Sequence, residues 1–181
     1  MVSDPDADLV ADVAAGDVRA MQALVTAKLP RIMALATRML GDPAEAEDIA
    51  QETFLRIWKH AGTWRQGRAK FDTWIHRVAL NLCYDRLRKR REISVAEPPE
   101  QIDGSVLPDA ALPYDGDESG AVARALRAIP ARQREAIVLV YYQEMSNREA
   151  ADVMHVSVDA LESLLARGRR ALHAILNEGD Q

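Results

Sequence analysis

The sequence is poor in the residues on which most small-molecule chemistry depends. Cys83 is the only cysteine in 181 residues, so no intrachain disulfide can form, and a thiolate metal site would need ligands of other kinds. The four histidines, His60, His76, His155 and His173, show none of the short spacings that grip a metal ion. No Gly-rich phosphate loop and no Ser/His/Asp set is recognisable. Catalytic residues, metals, cofactors and a small-molecule substrate are therefore not expected. Long apolar runs are also missing. The longest, residues 136–142, is far short of the roughly 20 residues that cross a bilayer. Residues 1–5, Met-Val-Ser-Asp-Pro, are acidic and lack the apolar centre of a secretory signal. The expectation is a cytoplasmic chain with no membrane insertion of its own.

What is present favours helices. Hydrophobic residues make up 48% of the chain and charged residues 28%, enough for an ordinary buried core. Ala, Leu, Arg, Glu and Asp dominate, while aromatics are held to 5%. That balance predicts an all-α fold.

The net charge of −5 argues on its face against a polyanionic partner, but the average hides two opposite blocks. Residues 65–92 hold nine Lys and Arg against three acids. Residues 94–120 hold seven acids and no Lys or Arg. The acidic block contains Pro98, Pro99, Pro108 and Pro113 with Gly104 and Gly116, and has no helical or strand period. It reads as a flexible linker over residues 94–118 between two small helical domains, 1–93 and 119–181.

In the first domain the apolar spacing predicts helices over 8–15, 18–40, 44–60 and 71–91. Pro30 predicts a kink or break in the second of these. Gly41-Asp42-Pro43 reads as a stop followed by a new start. The third helix is expected to bury Ala46, Ile49, Ala50, Thr53, Phe54, Ile57 and Trp58. The fourth is expected to bury Phe71, Trp74, Ile75, Val78, Ala79, Leu82, Cys83 and Leu87, leaving Arg77, Asn81, Tyr84, Asp85 and Arg88 on its other side. Five basic residues in the six positions 86–91 repel one another unless a polyanion meets them. With Trp64, Arg65, Arg68 and Lys70 in the preceding loop, the stretch combines phosphate attraction with stacking surface, as single-strand binding requires. Trp64 suits a stacking platform and a core position equally well.

In the second domain helices are expected over 121–128 and 131–143, the latter with Ala136, Ile137, Leu139, Val140 and Tyr141 inward. Ser146-Asn147-Arg148-Glu149 is a capping box that opens a short helix, and Ser157 caps a longer one after a turn at His155-Val156. Ala150, Val153, Val156, Val158, Leu161, Leu164 and Leu165 would hold the pair together. This is the helix-turn-helix pattern, whose second helix enters a major groove.

Three segments in register resemble one family. Ala46-Glu47-Asp48-Ile49-Ala50-Gln51-Glu52-Thr53-Phe54-Leu55-Arg56-Ile57-Trp58 resembles the polymerase-binding helix of extracytoplasmic-function (ECF) sigma factors. Phe71-Asp72-Thr73-Trp74-Ile75-His76-Arg77-Val78-Ala79-Leu80-Asn81 with Asp85-Arg86-Leu87-Arg88 resembles their −10-recognition helix. Ile129-Pro130-Ala131-Arg132-Gln133-Arg134-Glu135 and Met145-Ser146-Asn147-Arg148-Glu149-Ala150-Ala151 resemble the opening of their −35-reading domain. The resemblance implies a transcription initiation factor that binds core RNA polymerase and promoter DNA, opens the −10 region in a stress response, and is restrained by an anti-sigma factor, either soluble or held at the membrane. It assigns Asp48, Gln51, Glu52 and Arg56 to polymerase. Trp64, Arg65, Arg68, Lys70, Arg77, Asn81, Tyr84, Asp85 and Arg88 fall to the −10 element, with the 61–70 loop around an extruded base. Arg148, Ser157, Asp159, Ala160, Glu162, Ser163, Arg167 and Arg170 fall to the −35 element. It also implies that the acidic linker threads the polymerase RNA channel. Family members usually carry Thr, Lys and Arg where this chain has Ala160, Glu162 and Leu164, and a Glu can accept from a cytosine amino group. Two alternatives stand beside this reading: a sigma-like decoy or adaptor that binds a regulator without DNA, and a dimeric helix-turn-helix regulator, which would leave 48–58 and the acidic block unused.

Overall fold

The computed structural model describes residues 4–65, 67, 69–96 and 117–178, and every regular element within them is helical. The order is α1 (Ala7–Ala14), α2 (Val18–Leu40), α3 (Pro43–His60), a 3-10 turn (Ala61–Thr63), α4 (Phe71–Ala96), α5 (Asp117–Ala128), α6 (Ala131–Ile137) running into a π-helical stretch (Val138–Tyr142), α7 (Asn147–Met154) and α8 (Val158–Glu178). Residues 94–96 thus continue α4 and 117–118 open α5, at the two edges of the segment read as linker. Its remainder, 97–116, and Arg68 lie outside the described residues.

Local signals set most boundaries. The Asp17 carboxylate caps α2 by accepting from the amides of Arg19 (2.7 Å) and Ala20 (3.3 Å). Gly41 ends it at φ 71°, in the left-handed region that glycine enters without strain. Asp42 then accepts from Ala44 and Glu45, with Pro43 in the first turn of α3. The Ser146/Glu149 capping box forms, and the Ser157 hydroxyl accepts from the Ala160 amide at 3.1 Å.

Several expectations need correction. Pro30 neither breaks nor ends α2. Its ring is exposed, one backbone donor is missing, and Leu24, Ile32 and Leu35 clamp the helix on both sides of it with no exposure at all. The helix from Ala131 changes to π winding at Val138. The wider turn rotates the following side chains, so Tyr141, expected inward, is half exposed. Trp58 and Val158, also expected in the core, keep 37% and 38% exposure.

The core joins Val10, Leu24, Ile32, Leu35, Met39, Ile57, Phe71 and Ile75 in the amino-terminal half with Leu139, Ala150 and Leu161 in the carboxy-terminal half. Lys28 staples the first half. Its ammonium lies 2.6 Å from Asp6 and 2.8 Å from Asp72, and although burial opposes the charge, the two carboxylates outweigh it and raise the pKa. Gly168 lets α8 approach α6: a Cβ there would stand 2.7 Å from Ile137 Cδ1. The halves also touch one another, α2 against α5, α6 and the π stretch, and α4 against α7.

Candidate nucleic-acid interface

On α3, Asp48, Gln51 and Arg56 are exposed and Glu52 half-buried, with Glu52 and Arg56 paired at 2.8 Å. Leu55 (53%) and Trp58 (37%) stand out among them as large apolar groups in water. Neither residue was among the sequence candidates; Leu55 was legible on the exposed face, whereas Trp58 was assigned to the core.

The faces of α3 and α4 meet in an open cleft of about 460 Å³, lined by Glu52, Arg56, Lys59, His60, Thr63, Trp74, Val78 and Asn81. Arg56 from the polymerase set and Asn81 from the −10 set therefore share one depression. Trp74 is half-buried on its wall and packs on Phe71 at 5.7 Å.

The loop before α4 uses its aromatic internally. Trp64 meets Phe71 edge-on at 6.0 Å, and its indole N–H donates to the Ala69 carbonyl at 3.2 Å. Arg65 is exposed but folds back on the Gly62 carbonyl. Of the two sequence readings for Trp64, the packed one is observed.

The basic run divides. Arg86 lies 3.6 Å from Glu45 and 3.7 Å from Asp48, and Arg90 pairs with Glu45 and donates to the Leu40 carbonyl at 3.0 Å. These two, one turn apart, tie α4 to the start of α3. Arg88, Lys89 and Arg91 remain exposed, Arg88 beside Asp85 at 2.8 Å.

The side of α4 expected in water is half covered. Thr73, His76 and Leu80 are buried, and Arg77, Tyr84 and Asp85 are half-buried. Arg77 donates to the Asp152 carbonyl, and the Tyr84 hydroxyl donates to Glu135. Burial, with Glu135 beside it, raises the Tyr84 pKa. Burial likewise raises Glu135, against the pull of Tyr84 and Arg132. Lys70 Nζ lies 2.6 Å from Glu149, whose carboxyl is held down to about 2 by that contact and by Ser146. His76 Nδ1 is 2.6 Å from the Asp72 carbonyl and Nε2 is 3.3 Å from Gln143 Oε1; burial outweighs both contacts and lowers its pKa. Asn81 stays exposed.

In the helix-turn-helix, Ser157, Asp159, Glu162, Ser163, Arg167 and Arg170 are exposed along α8, and Ala160 is half-buried. Arg148 is exposed on α7. Ser163 donates to the Asp159 carbonyl at 3.0 Å, and the Asn147 amide reaches Glu162 at 3.3 Å.

Known proteins share this arrangement. Residues 24–93 match the family described as Sigma-70 region 2, and residues 119–172 match Sigma-70, region 4. The ECF RNA polymerase sigma factor SigW of Bacillus subtilis (strain 168) is 32% identical over 180 residues, covering 93% of this chain and 95% of that protein. The chain belongs to the ECF family of RNA polymerase sigma factors. SigM of Mycobacterium tuberculosis (strain ATCC 25618 / H37Rv), of the same family, is 32% identical over 94% of this chain and 84% of its own length. Among solved structures, CnrH in complex with the cytosolic domain of CnrY superposes with a TM-score of 0.72 at 29% identity, covering 96% of this chain and 97% of CnrH. The sigma factor RpoE of Bartonella quintana, in complex with the anti-sigma factor NepR, has the same fold, with a TM-score of 0.71 at 24% identity over 88% of this chain and 98% of RpoE. Membership of the ECF family makes this chain an alternative sigma factor, a transcription initiation factor of a family not known for enzymes. No helix among the described residues is long and apolar enough to cross a membrane.

Proposed function

We propose that the chain divides promoter recognition between its halves, residues 1–93 docking on core polymerase and holding the −10 strand, and residues 119–181 reading the −35 element. The observation that carries the reading is the cleft where Glu52 and Arg56 of α3 meet Trp74 and Asn81 of α4. The docking surface is the exposed face of α3, with Leu55 and Trp58 as apolar anchors among Asp48, Gln51, Glu52 and Arg56. The strand follows α4, with phosphates meeting Lys70, Arg77 and Arg88 and base edges meeting Asn81, Tyr84 and Asp85. An extruded base enters the cleft against Trp74, at the unpairing cost that base flipping carries. Arg65 adds positive charge in the loop before α4, while Trp64 supports the loop from within.

On α8, Arg167 and Arg170 take phosphates, and Asp159, Glu162 and Ser163 face the groove beside Ser157, Ala160 and Arg148. Glu162 is suited to a cytosine amino group. The chemistry of RNA synthesis belongs to polymerase, so no residue of this chain is assigned to catalysis. The site of action is the cytoplasm, and an anti-sigma factor, as NepR is to RpoE of Bartonella quintana, restrains the chain until stress releases it. The test is reconstitution with core polymerase on a genomic promoter library. Discrete transcripts that core polymerase alone does not make are the expected result; none would favour the decoy reading, in which the chain binds a regulator without initiating.

A further inference from the structure

We infer that the segment leading into α1 clamps the base-holding loop, and that Asp4 is a positioning residue for the extruded −10 base. The inference rests on the reading that puts this base in the cleft between α3 and α4.

The loop at 61–70 enters α4 without a cap of its own. The first amides of a helix have no partner within it, and Lys70, the residue before Phe71, has a side chain that can only donate. The acceptor comes from the segment ahead of α1. Asp4 Oδ2 accepts from the Phe71 amide at 2.7 Å, across 67 positions of sequence. Its Oδ1 accepts from the Asp6 amide at 2.9 Å, and its main-chain carbonyl accepts from the Ala7 amide at 3.1 Å. One carboxylate thus ties the start of α1 to the start of α4. Its negative charge suits the positive end of the α4 dipole. A second tie runs through a cation, since Asp6 and Asp72, the second residue of α4, share Lys28.

Phe71 carries the constraint to the cleft. It is fully buried, and its ring meets Trp64 of the loop and Trp74 of the cleft wall. Helix α1 braces the opposite side. Val10 and Val13 are buried, and α1 packs on the 3-10 turn, where Ala61 is buried and Thr63 lines the cleft. Two parts of the cleft wall therefore stand on residues 4–13. A pocket that selects a base has to be held within about 0.5 Å by the residues behind it, and a close-packed interior transmits such a constraint. Residues 4–17 lie ahead of the segment 24–93 that matches Sigma-70 region 2, so the clamp stands outside the matched segment.

The experiment compares wild type, Asp4→Ala and Asp4→Asn, each as the full chain. Asn keeps an oxygen that accepts from an amide, so it should rescue what Ala loses. Hydrogen exchange reads the clamp. In Asp4→Ala the amides at 61–75 should exchange about fivefold faster, as the loss of one cap allows, with α8 unchanged. Holoenzyme on a promoter recovered from the genomic library reads the positioning. 2-Aminopurine placed at each −10 position in turn marks the extruded base by its gain in fluorescence. Each −10 base is then changed singly and open complex is measured. Asp4→Ala should lower discrimination at the extruded position roughly threefold to fivefold, because no more than the capping free energy can be transmitted. The other −10 positions and polymerase affinity should match wild type. Exchange unchanged by Asp4→Ala would overturn the clamp, and an Asp4→Asn protein as defective as Asp4→Ala would overturn the cap as its cause. Faster exchange with unchanged discrimination, or an equal loss at every −10 position, would overturn the positioning role and keep the sigma factor. A wild-type holoenzyme without promoter-specific transcripts would sink the sigma assignment and the positioning role with it, while hydrogen exchange still decides the clamp.

Discussion

Arg88→Glu should separate strand opening from polymerase binding. The side chain is 67% exposed on α4, 2.8 Å from Asp85 and 4.0 Å from Glu92, both within the same helix. Exposed pairs of this kind contribute less than about 1 kcal/mol, and reversal turns them into repulsions of similar size. Two pairs lost and two repulsions gained, at about 0.3–0.5 kcal/mol each, move Tm by roughly 2–8 °C in a chain of this length, so the variant remains folded. Against a promoter strand, loss of one charge-assisted contact costs about 1.5–3 kcal/mol, a ten- to hundredfold loss of open complex. Removing one phosphate contact also lowers the salt slope of single-strand binding by about 0.7. Arg88 is the better probe because it does not line the cleft that Asn81 shares with Arg56. The assay pairs anisotropy of labelled protein on core polymerase with permanganate reactivity of −10 thymines. Unchanged polymerase affinity with lost permanganate signal is expected. Loss of both would refute the separation of α3 and α4 surfaces, and loss of neither would remove Arg88 from the strand.

Acidification should open the free chain. The closed form lowers the His76 pKa below its ordinary 6.5, so it binds fewer protons there than the open form; stability present above 6.5 is lost as the pH falls through that value. The groups facing the ring are Asp72, Gln143 and Arg31. Glu149, held near 2, stays charged across this window, and Glu135, raised by burial, acts in the opposite sense when protonated. Scattering of wild type against His76→Gln between pH 7.5 and 5.5 isolates the histidine, and parallel profiles would remove it. Leu161→Ala, at a site with no exposure between α7 and α8, should cost about 2–5 kcal/mol by denaturant unfolding; less than about 1 kcal/mol would mean that the helix-turn-helix core is not closed there. The Cys83 thiol, pushed up to about 12 by burial with Glu135 and Glu45 beside it, should resist a thiol reagent at neutral pH until the protein is unfolded; prompt labelling of folded protein would contradict its burial.

The helices and their caps were legible because those signals are local. Asp17, Asp42, Ser146 and Ser157 each act on amides two or three residues away. Pro30 does not break α2, because its cost is local while the packing that overrides it is not. The π winding after Val138 shifts register without a mark in the apolar pattern, which is why Tyr141 was misplaced. The largest gap concerns α4. A single amphipathic stripe accounted for Phe71 to Leu87, and Leu80, an apolar residue on the side assigned to water, was the available signal of a second buried face. Its partners lie beyond the acidic block, at Glu135, Gln143 and Asp152, and periodicity carries no information about contacts so far along the chain. The basic run was likewise read as uniform, whereas Arg86 and Arg90 are engaged with Glu45, which only the packing of α4 on α3 reveals.

The central claim, that one side of α4 meets the carboxy-terminal half in the free chain and the −10 strand in the promoter complex, is most directly tested by photo-crosslinking from position 84. A benzophenone amino acid in place of Tyr84 keeps an aromatic ring beside Glu135. In the free chain it should crosslink within the protein, to the segment around Glu135. In the open promoter complex it should crosslink to the non-template strand of the −10 element. Promoter complexes that make transcripts yet retain the intramolecular crosslink and give none to DNA would contradict the account.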